Sequence, residues 1–98
     1  MEIKSLPVFT TRSVFNKEKP LNFIVHDMDG DWQFLNIDEI SDTSNGVVIS
    51  MEEAIVIEES LLEIISYMGI GTFARLNEYK EWNRSPMILL SNFSFLTT

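Results

Sequence analysis

Leu21-Asn22-Phe23-Ile24-Val25-His26-Asp27-Met28-Asp29-Gly30-Asp31-Trp32-Gln33-Phe34-Leu35-Asn36 is the stretch that decides the fold. Two apolar, β-prone runs, Leu21 to His26 and Trp32 to Asn36, flank a short acidic segment with one glycine. That pattern reads as a β-hairpin. Asp29-Gly30 suits a two-residue type I′ turn, whose two central residues both need positive φ. Centred there, the turn pairs Met28 with Asp31, Asp27 with Trp32, His26 with Gln33, Val25 with Phe34 and Ile24 with Leu35. One face then carries Phe23, Val25 and Phe34, and the other carries Ile24 and Leu35. Two partly apolar faces predict a central place in a sheet, covered on both sides.

Upstream, Val8 to Val14 is rich in β-branched residues and is expected to form a first strand. Asn16 to Pro20 is a polar loop closed by proline. Downstream, Asp38 to Gly46 is a polar loop or wide turn, and Val47-Val48-Ile49 reads as a short buried strand. Ser50-Met51-Glu52-Glu53 is a capping-box pattern, in which the serine hydroxyl and Glu53 satisfy each other's amides. Ser60-Leu61-Leu62-Glu63 repeats it. Leu61, Ile64, Ile65 and Met68 then share one helical stripe, and Gly69 is placed to end the helix. Two short helices with a break near Ile57 to Glu59, or one kinked helix, follow. Thr72 to Trp82 returns to β character, Asn83 to Pro86 reads as a turn, and Met87 to Leu96 as a last strand. Strands, then helices, then strands imply one α+β domain over residues 1–98. Its sheet is small and largely antiparallel, with one or two short helices packed on one side.

The chain has 98 residues, 45% of them hydrophobic and 22% charged, the balance of an ordinary globular domain. A chain of this size buries somewhat over ~60% of its unfolded surface, enough for one core. It has no cysteine, which removes disulfides, thiolate chemistry and cysteine-type zinc sites. No apolar run approaches the ~20 residues that span a bilayer, and Met1 to Pro7 lacks the pattern of a signal peptide. A cytoplasmic location is the expectation. The net charge is −8, and from Pro20 to Ala74 there is no Lys or Arg but eleven acids. A field of that sign repels nucleic acid and anionic membranes and would steer a basic partner; the alternative is that the charge serves solubility alone.

The candidate chemistry is sparse. Asp27-x-Asp29-x-Asp31 resembles the start of a calcium loop. Trp32 stands where that loop needs glycine, Asp38 where it needs a bidentate glutamate, and the flanks read as strands. No metal or other cofactor is expected. His26 is the single histidine; Asp27 beside it points to the opposite face of a strand and cannot orient it. With no second His, no Cys and no phosphate loop, the expectation is not an enzyme, and His26 is expected to pack against Gln33 across the strand. Trp32 and Trp82 are the candidate aromatic anchors for a protein contact, with a packed place in the core of a small sheet as the alternative for each. Asp29, Asp31, Asp38, Glu39 and Asp42 would form a charged rim.

From His26 to Leu35 the chain resembles a family of short bacterial proteins with an HD-x-(D/E)GDWQFL signature, grouped with the immunity proteins of polymorphic toxin systems. Thr11-Arg12 before Val14 resembles that family's opening strand, and Val47 to Ile57 its later strand and short helix. Glu59-Ser60-Leu61 stands where the family often has Asp-Pro-Ser. Gly71 to Arg75 and Trp82 resemble its glycine-alanine-arginine and late tryptophan elements. The likeness covers roughly residues 8 to 84; the loop Asp38 to Gly46 departs from it and Met87 to Thr98 lies beyond it. It implies a small acidic protein that neutralises a toxin, here a basic toxin domain, by direct binding. The signature contains no known catalytic set. A regulatory interaction module without a toxin is the alternative; a small-ligand binder or enzyme built on His26 and the aspartates ranks third.

Overall fold

The computed structural model describes residues 3–40 and 44–87. Among the described residues six strands form one sheet: β1 (Pro7–Thr11), β2 (Phe23–His26), β3 (Trp32–Leu35), β4 (Gly46–Ser50), β5 (Thr72–Leu76) and β6 (Trp82–Pro86). Their spatial order is β4-β1-β3-β2-β5-β6. Every neighbouring pair is antiparallel except β1 and β3, which run parallel. Three short helices among the described residues, α1 (Arg12–Phe15), α2 (Met51–Ile57) and α3 (Leu61–Ile64), make this an α+β fold.

All three helices cover the same face of the sheet. Val14, Met51, Ala54, Leu61 and Ile64 pack with Val8, Ile24, Trp32, Phe34, Ile49 and Ala74 in the main core. The stripe Leu61, Ile64, Ile65 and Met68 is buried as its spacing predicts. The other face buries Phe23, Val25 and Leu35 beneath Phe9, Ile37, Ile40, Phe73 and Met87. The β2–β3 hairpin sits in the middle of the sheet with both faces covered, as its two apolar faces require.

Its register differs from the expectation by one residue. His26 pairs with Trp32, Val25 with Gln33, Ile24 with Phe34 and Phe23 with Leu35. A slip of one residue moves every side chain of one strand to the opposite face. Ile24, Trp32 and Phe34 therefore share the helix side, and Phe23, Val25 and Leu35 the other. The cause is the turn. The Asp27 carbonyl accepts from Gly30 N at 3.0 Å, and Asp27 N donates to the Asp31 carbonyl at 2.9 Å. Gly30 sits at φ +87. These bonds define a three-residue loop, a tight turn followed by a left-handed residue that forms a bulge. Asp27 Oδ1 accepts from the amides of Asp29 (2.9 Å) and Asp31 (3.0 Å), which selects this loop over the two-residue turn.

A second hairpin, absent from the sequence reading, repeats that geometry. Asn77 N donates to the Glu81 carbonyl at 2.9 Å and Lys80 N to the Asn77 carbonyl at 3.0 Å. Asn77 Oδ1 accepts from the amides of Tyr79 (2.8 Å) and Glu81 (3.0 Å). Lys80, at φ 65, takes the place that Gly30 holds in the first loop. Asn83 to Pro86 is thus a strand and not a turn.

Three further expectations need correction. β1 stops at Thr11, whose hydroxyl accepts from Val14 N at 3.3 Å and starts α1, so Arg12 to Val14 is helical. β4 lies at the sheet edge, and Val48 is 71% exposed rather than buried. Ser50 forms the expected capping box with Glu53, but Ser60 makes no side-chain cap; its hydroxyl donates to Glu58 Oε2 at 2.7 Å instead. The helical stretch closes in a 3-10 turn over Ile65–Tyr67 with Met68 as its cap, so Gly69 stands directly after its end as expected. The break between α2 and α3 falls at residues 58–60, as expected. Of the tail predicted as a last strand only Met87 is described; the remainder lies outside the described residues.

Candidate functional site

The residues singled out from sequence do not converge on one surface. Trp32 is 6% exposed, stacked against His26 with ring centroids 3.8 Å apart and against Phe34 at 5.9 Å. It is a core residue, which takes the core alternative for Trp32 over its role as a contact anchor. Trp32 alternates with Phe34 along β3 and so shares its helix-covered face. Trp82 is half-buried, and its indole N–H donates to Ser60 Oγ at 2.8 Å, tying β6 to the start of α3. Asp29 and Asp31 are exposed at the β2–β3 tip, while Asp38 is exposed after the far end of β3. Glu39 is engaged inside the fold: Ser13 Oγ donates to it at 2.5 Å and Thr11 Oγ1 at 3.2 Å, which holds α1 against the turn after β3. Glu39 is therefore not a free rim charge. Asp42 lies outside the described residues.

His26 faces Trp32, not Gln33. Its Nδ1 lies 2.9 Å from the Met68 carbonyl, so that nitrogen carries the proton and donates. The ring links β2 to the chain after α3 and is held by stacking on one side. Asp27, whose carboxylate caps the hairpin loop, makes no bond to it.

The electrostatics are one-sided. Among the described residues no carboxylate forms an ion pair with a lysine or arginine. Several acids have local structural tasks: Asp27 in the loop, Glu53 in the capping box at 2.9 Å, Glu58 on Ser60. Asp29, Asp31, Asp38, Glu59 and Glu63 carry exposed or half-exposed carboxylates with no side-chain partner among the described residues.

Two concave surfaces combine such acids with apolar side chains. One, of about 480 Å³, lies across β4, β1 and β3 and is lined by Pro7, Phe9, Val48, Gln33, Asp27 and Asp31. The other, of about 720 Å³, lies at the α2–α3 junction between Ile55, Val56 and Leu62, with Glu58, Glu59 and Glu63 around it. Val56 and Leu62 are 69% and 59% exposed. The sequence reading counted Glu58, Glu59 and Glu63 among the eleven acids but located neither surface. The available signal was Val56 and Leu62, two apolar residues off the buried stripe. The first groove had none, because β1, β3 and β4 meet only through long-range pairing.

Among the described residues no group of three or more His, Asp or Glu side chains is arranged to hold a metal ion, and no helix is long and apolar enough to cross a membrane. No protein-family model, curated protein or solved structure matches the chain.

Proposed function

We propose that this protein is a small acidic binding protein that neutralises a basic partner protein by direct contact, as the immunity proteins of polymorphic toxin systems do. The observation that carries the reading is the surplus of carboxylates: eleven acids and no Lys or Arg between Pro20 and Ala74, of which Asp29, Asp31, Asp38, Glu59 and Glu63 have no side-chain partner among the described residues. Charges that do nothing for each other inside the fold remain available to a partner of opposite sign. Such a surface steers encounter and speeds association. Exposed Val48, Val56 and Leu62 beside those acids supply the apolar contact that a tight complex also needs. The resemblance of His26 to Leu35 to the immunity signature supports the same reading.

The test is co-expression with the product of the adjacent gene, followed by co-purification. A toxin-like neighbour that binds with nanomolar to low micromolar strength supports the proposal. A gene that stands without a toxin-like neighbour, and a protein that captures none, would favour a regulatory interaction module instead.

A further inference from the structure

We infer that the groove across β4, β1 and β3 is an arginine-binding subsite, which receives one arginine side chain from the protein partner. The inference rests on the binding function proposed above and assigns its face and anchor. Three observations lead to it.

The groove has a polar end rich in acceptors. Asp27, Asp31 and Gln33 line it, and no lysine or arginine does. Asp27 is already fixed in place, because its Oδ1 accepts from two loop amides; its Oδ2 receives only a long 3.4 Å contact from Gln33 Nε2. The Asp31 carboxylate makes no hydrogen bond or ion pair among the described residues. Two carboxylates, one preorganised and one free, suit a planar donor fork better than a single ammonium.

The other end is apolar. Pro7, Phe9 and Val48 form a wall that fits the aliphatic stem of an arginine, with the half-buried Phe9 ring available for stacking by a guanidinium. The groove also opens beside an edge. Among the described residues no strand pairs with the outer side of β4, and Gly46–Ser50 carries no charge, so a partner segment meets no like or opposing charge as it approaches. The helix-side groove lacks this division: its Glu58 is committed to Ser60.

The probe is the tripeptide amide acetyl-Gly-Arg-Gly, titrated into the 15N-labelled protein and followed by amide chemical shifts. Its neutral counterpart carries citrulline, which keeps the shape and removes the charge. Saturable shifts confined to Phe9, Asp27, Asp31, Gln33 and Val48 are expected, with citrulline binding at least about tenfold weaker. Asp31→Asn, which removes no internal bond, is expected to weaken the arginine peptide about tenfold. Glu63→Gln makes the same change of charge on the helix side and is expected to leave it within about twofold. Shifts centred on Val56 and Leu62, shifts spread over the whole acidic surface, equal binding of citrulline, or an unchanged Asp31→Asn variant would each overturn the subsite. Failure here together with successful co-purification of a partner would remove the subsite and leave the binding function. Peptide binding at the groove without any partner would do the reverse.

Discussion

Lys80 and Gly30 occupy equivalent places in two hairpin loops of the same hydrogen-bond pattern, and exchanging their residue types should move stability in opposite directions. Lys80 holds φ 65 with a side chain, and Gly30 holds φ +87 without one. The left-handed region costs an L-residue roughly 1–2 kcal/mol. Glycine loses more freedom on folding, by about 0.5–1 kcal/mol. Lys80→Gly should therefore stabilise the domain by about 0.5–1 kcal/mol. Lys80 is exposed, so no packing is lost. Gly30→Ala should destabilise by a similar amount, and the cause would be conformation rather than a clash. A Cβ on Gly30 would come no closer than 3.7 Å to Ile70 Cδ1, an ordinary contact. Lys80→Ala removes the charge and keeps the backbone strain, so the difference between the Gly and Ala variants isolates φ. Urea unfolding is the assay. With an m-value near ~1 kcal/mol/M for a domain of this size, Lys80→Gly should raise the midpoint by about 0.5–1 M relative to Lys80→Ala. A Lys80→Gly variant no more stable than Lys80→Ala, or a neutral Gly30→Ala, would refute the twin-loop account.

Other consequences follow from the packing. Ser50→Ala should cost about 1 kcal/mol, because it removes the hydroxyl that caps α2 at Glu53 N (3.1 Å); thermal unfolding reads this as a drop of several degrees. Trp82→Phe should cost about 1 kcal/mol through the lost bond to Ser60, and the remaining indole, Trp32, should be strongly shielded from acrylamide. Ready quenching in that variant would place Trp32 on the surface and restore it as a contact anchor. Sodium chloride should raise the unfolding temperature, since there are no ion pairs among the described residues to weaken and a net charge of −8 to screen. The Debye length falls from roughly 30 Å at 0.01 M to about 8 Å at 0.15 M, and the first of these matches the 31 × 31 × 28 Å extent of the molecule. A fall in stability with salt would mean that attractive pairs dominate after all.

What the residues disclosed depended on whether a local pattern had one competitor or none. The alternation around Asp27 to Asp31 announced a hairpin, and its two apolar faces its central position. Choosing between a two-residue and a three-residue loop rested on one side chain. The Asp27 carboxylate satisfies two loop amides only in the longer loop, and that choice moved Trp32, Phe34 and Leu35 of β3 between faces relative to β2. The second hairpin escaped notice because Lys80 fills a position where glycine would have marked the turn. Thr11 has strand propensity yet ends β1, since its hydroxyl serves α1. The helix stripe and the Ser50 capping box were legible because their partners lie within a few residues. The candidate site was legible only as an excess of acid. That Glu39 is held by Ser13 and Thr11, and that Asp31 shares a groove with Val48 and Phe9, depends on pairings across the sheet that local sequence does not encode.

The proposed role of the acidic surface is to hold a basic protein. Its most direct test is the affinity for the neighbouring toxin-like protein, measured by titration calorimetry at low and physiological salt. Nanomolar to low micromolar binding that weakens clearly as salt rises is expected, because carboxylates and opposing bases would form the contact. No binding, or binding of the same strength at both salt concentrations, would contradict it.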